Sequence, residues 1–169
     1  KPPKIAVYSP PNRQPWDDAV TLALTYAEIK YDVIFDDEVM NGELNQYDWL
    51  HLHHEDFTGQ YGKFYRYRNK DWYKNMEENF TLNAKKYNFS SVHKFKKAIA
   101  LKIKNYINSG GFLFAMCSAT DSFDIALSFY STDFVHQIYD NTPIDNNYMS
   151  KVDYSNGIAF ENYELYTDP

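Results

Sequence analysis

The segment Gly110-Gly111-Phe112-Leu113-Phe114-Ala115-Met116-Cys117-Ser118-Ala119-Thr120 carries three signals in succession. A glycine pair ends a helix, since glycine supplies the left-handed backbone that closes a helical C-terminus. The apolar run 112–116 then reads as a strand buried on both faces, the pattern of a parallel sheet. After the lone cysteine, small polar residues lead near Thr120 into a further helix, expected over Ser122 to Tyr130. Upstream, Ser90-Ser91 caps a helix whose apolar positions Val92, Phe95, Ile99, Ile103, Tyr106 and Ile107 recur at spacings of three and four.

The same rhythm runs back to the N-terminus. Ile5-Ala6-Val7-Tyr8 is a short apolar run that ends in Ser9-Pro10-Pro11-Asn12. Asp17 and Asp18 open an amphipathic segment bearing Val20, Leu22, Ala23, Leu24, Ala27 and Ile29, with acids where the helix dipole is positive. Tyr31-to-Phe35 and Trp49-to-His53 complete the strands. Strand and helix alternate four times, which favours a parallel sheet with helices on both faces: a three-layer α/β, flavodoxin-like domain over 1–169. Residues 57–90, rich in Tyr, Lys, Arg and Asn, interrupt the rhythm and read as an insertion with one helix from about Asp71 to Tyr87. The tail from Asp133 offers two further strands, Phe134-to-Ile138 and Ile158-to-Leu165.

In open α/β sheets ligands sit beyond the carboxyl ends of the strands, and Cys117 falls there. A sharp strand–nucleophile–helix turn exposes the side chain and aims helix N–H groups at it, favouring thiolate over thiol. The N–H of Ser118 is then the natural donor to an oxyanion. A free cysteine also commonly just fills core space, and that reading stands beside the catalytic one.

The 110–120 run resembles the nucleophile elbow of class I glutamine amidotransferases, in which a small residue, an apolar residue and Cys precede a short turn into a helix. The likeness extends to the whole strand–helix order. More closely, Ile5-to-Ala27, Tyr47-to-Lys63 and Gly110-to-Leu127 resemble a group of bacterial proteins labelled asparagine synthetase B. The resemblance implies a Rossmann-like α/β domain, a cysteine nucleophile at Cys117 and a chain that extends beyond Lys1 and Pro169. It does not bring the synthetase residues with it. Lys1 stands where a catalytic N-terminal cysteine would be, and Ser109-Gly110-Gly111 runs into Phe112-Leu113 instead of the Asp and Ser of an ATP-binding loop. Two residues after the nucleophile, where amidotransferases commonly have Gly, the chain has Ala119. No His-x-Glu pair follows His136.

Cysteine chemistry needs a base within hydrogen-bond reach. His136 follows Cys117 by 19 residues and is one candidate. The other is the cluster His51-Leu52-His53-His54-Glu55-Asp56. Alternation sets His51, His53 and Glu55 on one side of the strand, and Leu50, Leu52 and His54 on the other. His53, His54 and Glu55 near the strand's end fit a base, an orienting pair or metal ligands. Arg13, Asp17 and Asp18 after the first strand, and Asp36, Asp37 and Glu38 after the second, are polar walls of the same crevice or plain helix caps.

Composition excludes several classes. A net charge of −6 and a pI near 5.3 argue against a nucleic-acid partner, and no apolar run is long enough to span a membrane. The turn 9–14 is not glycine-rich, so it cannot cradle a flavin or dinucleotide phosphate, and no cofactor is expected. The aromatic fraction of 18%, with 16 Tyr, fits either packing or a partner-binding surface. One Cys makes no internal disulfide, so the sequence favours neither cytoplasm nor periplasm.

Three functions therefore compete. One is a thiol hydrolase of amidotransferase type acting on a small molecule. Another is a non-catalytic module that binds a partner domain or its own copy. The third is a metal-dependent hydrolase built on His53, His54 and Glu55.

Overall fold

The computed structural model describes residues 2–11, 18–59 and 62–168. The chain forms two compact units, one of Lys1–Glu55 with Ile99–Asp121, the other of Asp56–Ala98 with Ser122–Pro169.

The first unit holds the sheet. Its strands are β1 (Ile5–Tyr8), β2 (Asp32–Ile34), β3 (Trp49–Leu52) and β4 (Phe112–Ala115), all parallel in the order β2-β1-β3-β4. Between β1 and β2 runs α1 (Ala19–Tyr26), and after β2 comes the short α2 (Asp36–Met40). The order reverses at β1, which has β2 on one side and β3 on the other, as in flavodoxin-like sheets. Ile5, Ala6, Val7 and Tyr8 are all buried, as expected of a central strand covered on both sides.

The helix α4 (Val92–Asn108) follows the sequence pattern closely. Val92, Phe95, Ile99, Ile103 and Tyr106 are buried, and the Ser91 hydroxyl accepts the Lys94 N–H at 3.2 Å as an N-cap. Gly110 takes φ +103, and Gly111 lies so close to the Tyr106 ring that a Cβ there would come within 2.2 Å of it. The glycine pair therefore both ends α4 and lets Tyr106 pack beneath the start of β4. Next comes α5 (Ser118–Ser128), which begins right at the cysteine turn.

In the second unit, α3 (Asp71–Lys86) is the helix expected within 57–90. The tail differs from expectation. Among the described residues it has no strand; the elements are α6 (Gln137–Asp140) and two 3-10 turns, Tyr148–Lys151 and Tyr154–Asn156. Phe134 and Val135 are both buried although adjacent, and pack with Phe129 against Tyr148, Met149, Val152, Tyr163 and Leu165. The backbone at 158–160 finds its acceptor on a side chain, not a ladder. The buried Asp124 carboxylate takes the N–H groups of Ile158 (2.6 Å), Ala159 (3.2 Å) and Phe160 (2.8 Å). Gly157 passes so close to this carboxylate that a Cβ would lie 2.9 Å from Oδ2.

Candidate functional site

The carboxyl ends of β1, β3 and β4 carry the chemistry-bearing residues of the first unit. Cys117 is exposed and has φ +52, between the last residue of β4 and the first of α5. A non-glycine residue in the left-handed region costs on the order of 1 kcal/mol and persists only where the surroundings enforce it. The enforcing bonds are visible. Met116 N–H donates to the Leu52 carbonyl at 2.9 Å, Ala119 N–H reaches the His53 carbonyl at 3.2 Å, and Thr120 N–H returns to the Cys117 carbonyl at 3.1 Å. Both sides of the turn are thus tied to the end of β3, and the turn closes with the buried Ala119 where a glycine is common. Ser118 stands at the first position of α5, where backbone N–H groups have no acceptor within the helix.

β3 delivers His51 and His53 to one carboxylate. Asp18 is the N-cap of α1: Oδ1 accepts Val20 N–H at 2.7 Å and Thr21 N–H at 2.8 Å. Its Oδ2 lies 3.2 Å from His51 Nε2 and 3.7 Å from His53 Nδ1. The His51 ring is fully buried, and its Nδ1 donates to the Phe114 carbonyl of β4 at 3.1 Å. The His53 side chain keeps 17% of its surface exposed. Burial pushes the Asp18 carboxyl up, but the Thr21 N–H and the two imidazoles outweigh it and hold the group below the usual carboxylate range. His53 is drawn below the ordinary imidazole value, mainly by burial, with His51 adding to and Asp18 opposing the shift.

Glu55 curls back, its Oε2 accepting the His53 backbone N–H at 2.8 Å, so it braces the strand end. The His54 ring lies against His53 with centroids 3.5 Å apart. Among the described residues no group of three or more His, Cys, Asp or Glu side chains is arranged to hold a metal ion. Asp36 is buried and takes the Tyr8 hydroxyl hydrogen; burial and then the Asp36 charge push that phenol well above its ordinary value. Glu38 accepts the Phe35 N–H at 2.8 Å, and Asp37 lies in the first turn of α2, so these acids start a helix. Arg13 and Asp17 lie outside the described residues.

His136 belongs to the second unit and lies at no strand. It is the N-cap of α6, its Nδ1 accepting the Ile138 N–H at 3.2 Å while its ring sits edge-on to Tyr139. The other histidine there, His93, carries no local sequence signal. It is fully buried, with Nδ1 on the Thr58 carbonyl and Nε2 3.4 Å from the Thr132 carbonyl and 3.7 Å from Asp133. One turn along α4, Lys97 donates to the carbonyls of Phe129 (3.0 Å) and Thr132 (2.6 Å).

Fold and site together define a parallel α/β sheet with an exposed thiol after one strand, and an imidazole on the neighbouring strand that meets a carboxylate at the start of α1. No protein-family model matches the chain, and neither a curated protein nor a solved structure shows significant similarity to it.

Proposed function

We propose that this chain is a thiol-dependent acyl-transfer domain of the class I glutamine amidotransferase type, with Cys117 as nucleophile and His53 as its base. The observation that carries the reading is the exposed Cys117 in left-handed conformation between β4 and α5. A cysteine that only filled space would be buried and would need no such backbone. His53 is preferred to His136 as base. The former follows β3 directly and its carbonyl bonds the turn at Ala119, while the latter has Nδ1 committed to a helix cap.

The reaction runs on the chain's own groups. Cys117 Sγ gives its proton to His53 and attacks the carbonyl carbon of a small amide or ester. The oxyanion forms beside Ser118 N–H at the positive end of α5. As the C–N or C–O bond breaks, His53 returns the proton to the leaving group. Water then adds to the thioester, releasing the acid and regenerating the thiol. The test uses p-nitrophenyl acetate. The wild type should release a stoichiometric burst of p-nitrophenolate and carry an acetyl group on the Cys117 peptide, and Cys117→Ser should do neither. Equal release by both proteins with no adduct would overturn the proposal.

A binding or assembly role is the second reading, favoured by β4. Its outer side pairs with no strand among the described residues, and Phe112 and Phe114 are 58% and 39% exposed.

A further inference from the structure

We infer that Asp18 and His51 form a fixed proton-holding pair that orients His53 as the base of the site, an inference that rests on the thiol reading of Cys117 above. Asp18 divides its oxygens between two tasks. Oδ1 caps α1, and Oδ2 is left to face both imidazoles. The carboxylate side chain is only 5% exposed, so water cannot take the place of either ring.

The hydrogen count at His51 is fixed by its neighbours. A carbonyl oxygen only accepts, so Nδ1, 3.1 Å from the Phe114 carbonyl, carries a hydrogen. Nε2 meets a carboxylate oxygen at 3.2 Å, and two lone pairs cannot face each other at that distance in a dry site. One further proton therefore lies between Nε2 and Oδ2. His51, locked to β4 at one nitrogen and to α1 at the other, is a strut that carries the counter-charge of Asp18.

With Asp18 compensated in this way, its influence on His53 becomes directional. His53 Nδ1 faces Oδ2 at 3.7 Å, longer than a hydrogen bond, as orienting contacts in unliganded sites often are. A hydrogen on Nδ1 is the one that can turn toward this carboxylate, and the Nε2 lone pair is then available, Nε2 having no hydrogen-bond partner among the described residues. A neutral imidazole with its far nitrogen open is what a base for a thiol must be. The groups facing the His53 ring are Asp18 at the start of α1, His51 on β3 and the adjoining His54 ring, while Glu55 accepts the His53 backbone N–H and the His53 carbonyl accepts from Ala119 of the cysteine turn.

Asp18→Asn is the informative variant, because Asn still caps a helix but turns an amide donor toward His51 Nε2. Long-range proton–nitrogen correlation spectra of histidine-labelled protein read the ring protonation directly. The wild type should show His51 protonated at both nitrogens and His53 at Nδ1. In Asp18→Asn, His51 should drop to the Nδ1–H form, and alkylation of Cys117 by iodoacetamide near neutral pH should slow about tenfold. If both spectra and rate are unchanged by Asp18→Asn while His53→Gln alters the pH profile of alkylation, the inference fails and the base reading survives. If His53→Gln leaves that profile unchanged, the role of His53 fails and takes the inference with it.

Discussion

Two buried imidazole clusters, one in each unit, are made of the same parts and put to opposite ends. Around His93, both ring nitrogens have partners: Thr58 and Thr132 carbonyls on the ring, Asp133 beside it, and Lys97 on the carbonyls that follow α5. Around Asp18, the same satisfaction holds for His51 but stops at His53, whose ring is part-exposed and whose Nε2 has no hydrogen-bond partner among the described residues. A sealed cluster fixes structure. A cluster that keeps one imidazole part-exposed, with the carbonyl of that residue bonded to the cysteine turn, is the one proposed to move a proton. The difference lies in the neighbour, not in the histidine.

The comparison breaks most easily at Gly59. Its φ is +76, and a Cβ there would lie 2.5 Å from the His93 Cα, so backbone must move. Gly59→Ala should cost roughly 4 kcal/mol or more, read by denaturant unfolding, with the His93 cluster disrupted.

A pH series sharpens it. Burial lowers Lys97 from 10.5 to about 8, and burial with the Lys97 charge also lowers His93. Both groups bind protons more readily in the unfolded chain, so stability rises with pH. For Lys97 the gain begins near pH 8 and continues toward its unfolded value, on the order of 3 kcal/mol in full. The His93 contribution is present above about pH 6.5 and is lost as pH falls below it. Above about pH 10 the raised tyrosines, Tyr8 and Tyr73 among them, work the other way, with Tyr73 pushed up to about 12. Lys97→Met should abolish the rise between pH 8 and 10 in urea titrations. The same rise in Lys97→Met as in wild type would refute the account of that cluster.

The smallest expected effect compares the two histidines directly. His93→Gln should cost about 2 kcal/mol because it strands buried carbonyls, and His53→Gln less than about 0.5 kcal/mol. Equal losses would erase the distinction.

The sequence made the sheet and the cysteine turn legible because their signals are local, although the run read as a strand buried on both faces, β4, leaves Phe112 and Phe114 exposed. Apolar runs, a cap at Ser91 and glycines at 110–111 each act within a few residues. Asp18 was visible as a helix-start acid or a polar wall of the crevice, without its partner. Its bond to His51 spans 33 positions and depends on β1 and β3 being neighbours, which no local pattern encodes. The tail misled for a related reason: Phe134-to-Ile138 has strand composition, yet a short helix capped by His136 begins at Gln137, and distant Asp124 claims the N–H groups that a ladder would have used at 158–160.

The claim that the folded site activates Cys117 is tested most directly by its alkylation rate with iodoacetamide near neutral pH, measured folded and in denaturant. The folded chain should react at least roughly tenfold faster. A folded rate equal to or below the unfolded one would contradict it.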